Sequence, residues 1–110
     1  MNTDTEHPEL SLVFPVCDEE RNIGPLLDRA LALTPALARR FEIIVDDDGS
    51  RDGGAAEIEL RRRQCPHLRV LRHRKNRGYG AALRAGLWAA RGELVFFSDA
   101  DLQVFHSVAA

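Results

Sequence analysis

Two aspartates two residues apart, Asp99 and Asp101, follow the apolar run ELVFF near the end of this chain of 110 residues. In an extended backbone the side chains of residues i and i+2 point to the same side, so both carboxylates can face one cation, and Gln103 continues that side. Oxygen ligands of this kind suit Mg²⁺ or Mn²⁺, usually shared with the phosphates of a substrate. Solvated acidic turns with the same spacing are common, but the position directly after an apolar strand favours a metal site.

A second acidic group, formed by Asp46, Asp47 and Asp48, follows the apolar run FEIIV. Like charges this close are unfavourable unless backbone N–H groups, arginines or a ligand offset them. One interpretation is that one aspartate caps the next helix while the others are solvated. The functional alternative is that a carboxylate accepts two hydrogen bonds from a nucleobase edge or a ribose diol. The spacing alone supports both interpretations.

The basic residues are concentrated between Arg61 and Arg77, where eight of the fifteen lysines and arginines lie. At the end of this stretch, Arg77 and the flexible Gly78 could approach a diphosphate. Nucleic acid is the rival ligand, but the net charge of −2 and the single nearby aromatic residue, Tyr79, argue against it. The stretch also lacks the G-x-x-x-x-G-K-[ST] pattern of a P-loop, and no G-x-G-x-x-G follows the first apolar run.

The apolar pattern alternates between strand-like runs and helix-like periodicity, and these elements must position the residues above. Runs rich in β-branched or aromatic residues predict strands over 10–15, 41–45, 68–71 and 93–97. Right-handed crossovers through the intervening helices turn this order into an open, mostly parallel, three-layer α/β/α sheet. Ligands of such sheets bind beyond the carboxyl ends of the strands, and the segments that follow the first, second and fourth strands are all acidic.

Three helices are predicted between the strands. The first should end before Pro35, and its apolar face has helical spacing at Ile23, Leu26, Leu27, Ala30 and Leu31. The second covers 53–63, with Ser50 or Asp52 as its cap. The third can lie close to the sheet because small residues form one of its faces, namely Ala82, Ala85, Gly86 and Ala89.

Length and composition predict one domain, since 110 residues with 45% apolar content can bury one modest core. No stretch is long and apolar enough to cross a bilayer, and the polar start lacks the features of a signal peptide, so a cytoplasmic location is expected. Cys17 and Cys65 have no Cys or His partner at metal-ligand spacing, which predicts two reduced thiols.

Three segments in this order resemble one family: LSLVFPVCDEERNIGPLL, FEIIVDDDGSRDG and NRGYGAALRAGLWAARGELVFFSDADLQ. They are similar to the amino-terminal part of a family 2 glycosyltransferase of the GT-A fold, closest to the dolichyl-phosphate mannose synthase and polyprenyl-phosphate glycosyltransferase type. The resemblance implies a polar tail over 1–9, a nucleotide-sugar-binding part over 10–103 and a divergent end over 104–110.

The resemblance implies a role for each matching position. A nucleotide-sugar donor of the GDP-mannose or UDP-glucose type would be bound by Pro15, Cys17, Glu19, Asp47, Asp48, Arg77, Gly78, Asp99 and Ala100. Mg²⁺ or Mn²⁺ on the donor diphosphate would be held by Asp99, Asp101 and Gln103. The reaction would be an inverting transfer to an acceptor such as a polyprenyl phosphate, with peripheral association at the cytoplasmic face of the membrane and no nucleic acid involved.

Several residues depart from the family pattern. Cys17 and Asp18 replace an aromatic residue and an asparagine, and Gly54 replaces a threonine. Asp46 stands where the family has an apolar strand residue, and a buried third carboxylate would cost several kcal/mol or take up a proton. After Gln103 the family's continuation is lost, and its acceptor-side residues do not appear. We therefore expect a fragment, and the alternative to a transferase is a non-catalytic remnant that binds nucleotide weakly or not at all.

Overall fold

The computed structural model describes residues 7–98 and, for the backbone alone, the strand 105–109. The elements in chain order are β1 (Leu10–Val16), α1 (Glu20–Leu37), β2 (Phe41–Asp48), α2 (Gly54–Gln64), β3 (Leu68–His73), α3 (Tyr79–Ala89), β4 (Leu94–Ser98) and β5 (Phe105–Ala109). They form one sheet of order β3-β2-β1-β4-β5, in which the first four strands are parallel and β5 is antiparallel to β4. The predicted α/β fold is confirmed.

The two central strands, β1 and β2, are buried along their whole lengths. Helices α1 and α2 pack on one face of the sheet, in a core that includes Phe14, Ile23 and Ile58. Helix α3 packs on the other face, against Val13 and Ile44. Because successive side chains of a strand point to opposite faces, the apolar residues of β1 and of the first part of β2 serve both cores.

Helix α3 lies close to the sheet, as its small residues predicted. Ala82 and Gly86 are buried in this contact. A Cβ atom added at Gly86 would come within 2.4 Å of Cγ1 of Val13, which is shorter than any van der Waals contact allows. Position 86 therefore sets how closely the helix approaches β1.

Helix α1 does not end before Pro35, and that prediction was wrong. The helix continues to Leu37, and the N–H of Ala38 still reaches the carbonyl of Thr34, at 3.1 Å. Pro35 lies in the last turn, where a proline removes its own N–H donor but leaves the turn that follows able to close. The buried hydroxyl of Thr34 also donates to the carbonyl of Ala30, at 2.5 Å.

Strand β5 was not predicted, because its segment was interpreted only as a divergent end. Its backbone pairs with β4 from Ser98↔Phe105 to Leu94↔Ala109. This edge of β4 is therefore paired with a later segment of the same chain. Among the described residues, no helix has the length and apolar character needed to cross a membrane.

The starts of α1 and α2 share one carboxylate, that of Asp52. It accepts hydrogen bonds from the N–H of Glu20 at 3.1 Å and from the N–H of Gly54 at 2.8 Å. In return, the carboxylate of Glu20 accepts a hydrogen bond from the N–H of Gly53, at 3.0 Å. Ser50 and Asp52 were the predicted caps of the second helix, but the residue at the cap position is Gly53. Asp52 lies next to it and still satisfies the N–H donor of Gly54.

Candidate functional site

A cleft of about 700 Å³ opens at the carboxyl edge of the sheet. It is lined by the loop after β1, the loop after β2 and the last residues of β3 with the loop that follows them. This is the edge at which ligands of parallel α/β sheets bind. Strand β2 is three residues longer than predicted, so Asp46, Asp47 and Asp48 belong to the strand and are all buried.

Asp48 holds the loop between β3 and α3. Its Oδ1 accepts a hydrogen bond from the N–H of Arg77 and its Oδ2 one from the N–H of Gly78, both at 2.9 Å. Gly78 has a φ of 99°, a conformation that favours glycine, and it precedes the first turn of α3. The structure thus brings together Asp48, Arg77 and Gly78, which the sequence placed in two separate segments.

Asp47 lines the cleft, and each of its two carboxylate oxygens has a partner. Its Oδ1 accepts a hydrogen bond from the N–H of Ser50 at 3.0 Å. Its Oδ2 lies 3.5 Å from Nε of Arg72, on the neighbouring strand. Arg72 is half exposed, so this ion pair can open to admit a ligand at modest cost.

Asp46 is completely buried, and Oδ1 of its carboxylate lies 2.8 Å from Nε2 of His73. Neither Asp46 oxygen has an aligned hydrogen-bond donor among the described residues. Burial raises the pKa of the Asp46 carboxyl; His73 opposes this effect, and the charges of Asp48 and Asp47 add to it. The expected cost of a buried third carboxylate is therefore real, and His73 partly offsets it.

The loop after β1 forms the opposite side of the cleft. Asp18 has a φ of 53°, its N–H donates to Oγ of Ser50 at 3.0 Å, and its Oδ1 accepts from the N–H of Arg51 at 2.7 Å. The amide of Asn76 donates to the sulfur of Cys17 at 3.0 Å. Burial is the main cause that raises the pKa of the Cys17 thiol, so it stays protonated at neutral pH. Both Cys17 and Cys65 are free thiols, as predicted.

The structure places the sequence-predicted residues unevenly. Of these, Cys17 and Asp47 line the cleft, and Arg77 lines an adjoining depression together with Arg72 and Lys75. Pro15 is buried in β1 opposite Asp46. Glu19 precedes α1, where its carboxylate accepts a hydrogen bond from the side chain of Asn22 at 3.0 Å.

Four of the predicted positions, Asp99, Ala100, Asp101 and Gln103, lie outside the described residues. The described chain reaches the carboxyl edge of the sheet with Ser98, the residue that precedes Asp99 in the sequence. Within the described part no group of three or more His, Cys, Asp or Glu side chains is arranged to hold a metal ion. The carboxylate and amide oxygens of the predicted set are nevertheless the ligand type that Mg²⁺ and Mn²⁺ prefer.

Sequence reasoning missed most of the basic side of the cleft. Arg72 and His73 belong to β3, which extends two residues beyond the predicted end, and the loop after it adds Arg74, Lys75 and Asn76. This basic stretch was singled out from the sequence, but a phosphate-binding role was given only to its end, at Arg77 and Gly78. The cleft therefore has an acidic side from β1 and β2 and a basic side from β3.

A cleft of this mixed character suits a ligand that carries both hydroxyl or amide donors and anionic groups. Carboxylates can accept hydrogen bonds from the donors, while guanidinium groups bind phosphate oxygens in pairs. A nucleoside diphosphate has both kinds of group. Asp47 and Arg72, on adjacent strands, supply one group of each kind: a carboxylate for hydroxyl or amide donors and a guanidinium for phosphate oxygens.

The chain was compared with known proteins. The family model described as glycosyl transferase family 2 matches residues 11–108. A dodecaprenyl-phosphate galacturonate synthase of Rhizobium johnstonii is 39% identical over 105 residues, which are 93% of this chain and 30% of that protein. A dolichol-phosphate mannosyltransferase of Saccharomyces cerevisiae is 34% identical over 96 residues, which are 86% of this chain and 36% of that protein.

The chain is also similar to solved structures of glycosyltransferases. A mannosyltransferase from Pyrobaculum calidifontis, determined in complex with GDP-Man and Mn²⁺, has a TM-score of 0.75 and is 28% identical. The match covers 89% of this chain and 29% of that one. The chain therefore spans about a third of the length of the proteins that it matches.

Proposed function

Because the chain belongs to glycosyl transferase family 2, we propose that it forms the donor-binding part of a glycosyltransferase that uses a nucleotide sugar and a polyprenyl-phosphate acceptor. The observation that carries the proposal is the cleft at the carboxyl edge, where Asp47 and Arg72 face each other from adjacent strands. The two curated relatives described above are named for dodecaprenyl-phosphate and dolichol-phosphate chemistry.

The donor would bind with its base and ribose on the acidic side of the cleft. Asp47 accepts one hydrogen bond from the N–H of Ser50, and its second oxygen contacts only the half-exposed Arg72. A ribose diol or base amine that replaces this contact would release the guanidinium for the donor phosphates. Cys17, which replaces the family's aromatic residue, would contact the base as a neutral thiol.

The diphosphate would lie toward the basic side, near Arg72 and Arg77. The loop that carries Arg77 is fixed by Asp48, so its backbone is already ordered before the donor arrives. An ordered loop loses less conformational entropy on binding than a flexible one does. Asp48 in this role positions the loop through its two backbone hydrogen bonds.

Asp99, Asp101 and Gln103 would hold Mg²⁺ or Mn²⁺ on the diphosphate. Such an ion neutralises the charge that grows on the departing nucleoside diphosphate. The described chain leads to these residues through β4, whose last residue, Ser98, is buried at the carboxyl edge. The Pyrobaculum mannosyltransferase was crystallised with Mn²⁺, which supports a divalent ion in this part of the family.

The transfer would proceed by direct displacement at the anomeric carbon, with inversion. A polyprenyl phosphate is already anionic, so the attacking oxygen needs little help from a general base. Such a lipid lies in a membrane, and the protein would meet it as a peripheral protein at the cytoplasmic face. A second candidate function is a donor-binding module without transfer activity, because the cleft supplies groups for the donor and none of them is assigned to the acceptor.

Calorimetric titration of the chain with GDP-mannose and UDP-glucose, with and without Mn²⁺, tests the proposal. We expect saturable binding of one nucleotide sugar that strengthens with Mn²⁺. The double variant Asp99→Asn, Asp101→Asn should lose the effect of Mn²⁺, and Asp47→Asn should weaken binding about tenfold or more, since one hydrogen bond to a charged group is worth about 1.5–3 kcal/mol. The exposed Glu93→Gln variant is the matched control and should bind as the parent does.

No binding of either donor by a chain shown to be folded would overturn the donor site. Binding without transfer of label to a polyprenyl phosphate would select the second candidate function. Transfer itself is measured by incubation of the chain with labelled donor and a short-chain polyprenyl phosphate, followed by extraction of the lipid.

A further inference from the structure

The pair formed by Asp46 and His73 has no role in the proposed chemistry. Asp46 lies at the third-last position of β2 and is completely buried, while His73 is the last residue of β3 and its ring lines the cleft. Oδ1 of Asp46 and Nε2 of His73 are 2.8 Å apart, and both Nε2 and the two carboxylate oxygens are shielded from solvent. A buried carboxylate without other donors is costly unless its one partner carries a compensating charge.

The surroundings of the pair make its charge state matter. On β2 it is followed by Asp47 and Asp48, and on β3 it is preceded by Arg72, which faces Asp47 rather than Asp46. From α3 the pair faces Gly86, where an added Cβ would lie 3.8 Å from Oδ2 of Asp46. From β1 the register partner of Asp46 is Pro15. These two positions on α3 and β1 are uncharged, and the titratable side chain in contact with the carboxylate is His73.

We propose that Asp46 and His73 are positioning residues of the donor cleft, and that one proton shared between them keeps the end of β3 closed against β2. With that proton the pair is neutral overall, as an imidazolium and a carboxylate or as their neutral forms. Without it a net negative charge remains buried beside Asp47 and Asp48. Water can then reach the carboxylate only if the end of β3 moves away from β2.

The position of this strand end determines the basic side of the cleft. Arg72 precedes His73 directly, and the loop that follows carries Arg74 and Lys75 before Asp48 fixes it again at Arg77. Each of the three aspartates of β2 thus holds a different part of β3 or of its loop: His73, then Arg72, then the backbone of Arg77 and Gly78. Loss of the proton releases the first of these contacts and loosens the wall that would bind the diphosphate.

The expected effect of pH on donor affinity rests on the proposed function. The closure of the end of β3 against β2 does not rest on it. Nuclear magnetic resonance of the ligand-free chain from about pH 5 to about pH 9 tests the closure. This range contains the ordinary pKa of histidine, about 6.5, and extends far enough above the ordinary pKa of aspartate to include a raised one. We expect the backbone amides of Arg72 to Gly78 to shift together with pH, with one midpoint. In the Asp46→Asn variant this shift should be lost, because the pair no longer holds the shared proton.

His67→Gln is the matched control for His73→Gln, since His67 lies exposed just before the other end of the same strand. His73→Gln should perturb the loop amides at every pH, and His67→Gln should leave their titration unchanged. Donor affinity of the parent chain should fall at least about threefold from the low to the high end of the range, with little change in the Asp46→Val variant, since this change removes the titrating charge.

Loop amides whose pH dependence is the same in the parent and in Asp46→Asn would overturn the shared proton. Loop amides that do not change with pH would overturn the positioning role, even if the pair exists. If no nucleotide binds at any pH while the amides do change with pH, the closure stands and the proposed function fails. A chain in which Asp46→Val binds donor with the parent's pH dependence would remove the effect on affinity.

Discussion

Oδ2 of Asp48 accepts a hydrogen bond from the backbone N–H of Gly78, and the two residues lie on different elements 30 positions apart. With the matching bond from Arg77 to Oδ1, one carboxylate joins the end of β2 to the turn before α3. The bond fixes the turn from inside the sheet. The turn's position relative to the cleft is therefore a property of the core.

Asp48→Asn should destabilise the chain by about 1–3 kcal/mol. The NH₂ group of asparagine is a donor, so it cannot accept the hydrogen bond of one of the two backbone N–H groups that the carboxylate now binds. Urea unfolding measures the loss, and hydrogen exchange should show the amides of Arg77 and Gly78 becoming less protected. Glu93→Gln is the control and should change neither. Unchanged protection of both amides would contradict the role assigned to Asp48.

Gly86→Ala should destabilise the chain by about 1–3 kcal/mol, since its Cβ would enter the space of Val13 and force α3 away from the sheet. Gly80→Ala is the matched control in the same helix. An added Cβ there meets only the far end of the Arg84 side chain, at 3.4 Å, so this change should be neutral or stabilise the helix by up to about 1 kcal/mol. Thermal unfolding of both variants decides, and equal effects would show that α3 does not approach β1 closely.

Gly49→Ala should distort the cleft. Gly49 has a φ of 77°, and an added Cβ would come within 2.7 Å of the backbone nitrogen of Asn76, which forms the facing wall. Both the conformation and the contact disfavour alanine, so we expect a loss of about 1–3 kcal/mol in stability together with weaker donor binding. Calorimetry and urea unfolding on the same samples measure the two effects, and a variant with parental values in both would show that the loops after β2 and β3 do not touch.

Glu42 should contribute to unfolding by acid. Burial alone would raise the pKa of its carboxyl, but hydrogen bonds from the hydroxyl of Ser11, the N–H of Arg91 and the guanidinium of Arg69 together lower it. A lowered pKa in the folded state gives stability that is present above the pKa of the unfolded chain and is lost as the pH falls through the folded one. Urea unfolding of the parent chain at neutral and acidic pH should show this loss.

Glu42→Gln should be less stable than the parent at neutral pH and should lose less stability on acidification. Glu93→Gln, which removes an exposed carboxylate, is the matched control. A parallel acid response of the parent and Glu42→Gln would refute the assignment.

The strands and helices follow from the sequence because their apolar periodicity is local, and the bounds predicted for β1, β4 and α2 lie within one residue of the observed ones. The end of β2 was not, since three consecutive carboxylates in a buried strand contradict any local rule. They are tolerated because each has a partner distant in the chain: His73 for Asp46, Arg72 for Asp47 and a backbone turn for Asp48. No spacing along the chain shows those partners.

The continuation of α1 past Pro35 and the pairing of β5 with β4 have a similar origin. In both cases tertiary packing or pairing outweighs what the local sequence predicts: the end of a helix before a proline, and a segment without a strand. The candidate site was predictable where acidic residues follow apolar runs, as at Asp47. Its basic side was predicted only at Arg77, because Arg72 and His73 lie in the two residues by which β3 exceeds the apolar run.

The single carboxylate of Asp52 accepts hydrogen bonds from the N–H groups of both Glu20 and Gly54, so the first turns of α1 and α2 should unfold together. Those turns follow directly on the loops after β1 and β2, and these loops are two of the three walls of the cleft. Fraying at either helix would thus be transmitted to the other through one side chain. The walls should open as a cooperative unit, and partial occupancy of the cleft by a fragment of the donor, such as the nucleoside alone, should protect both helix starts from hydrogen exchange.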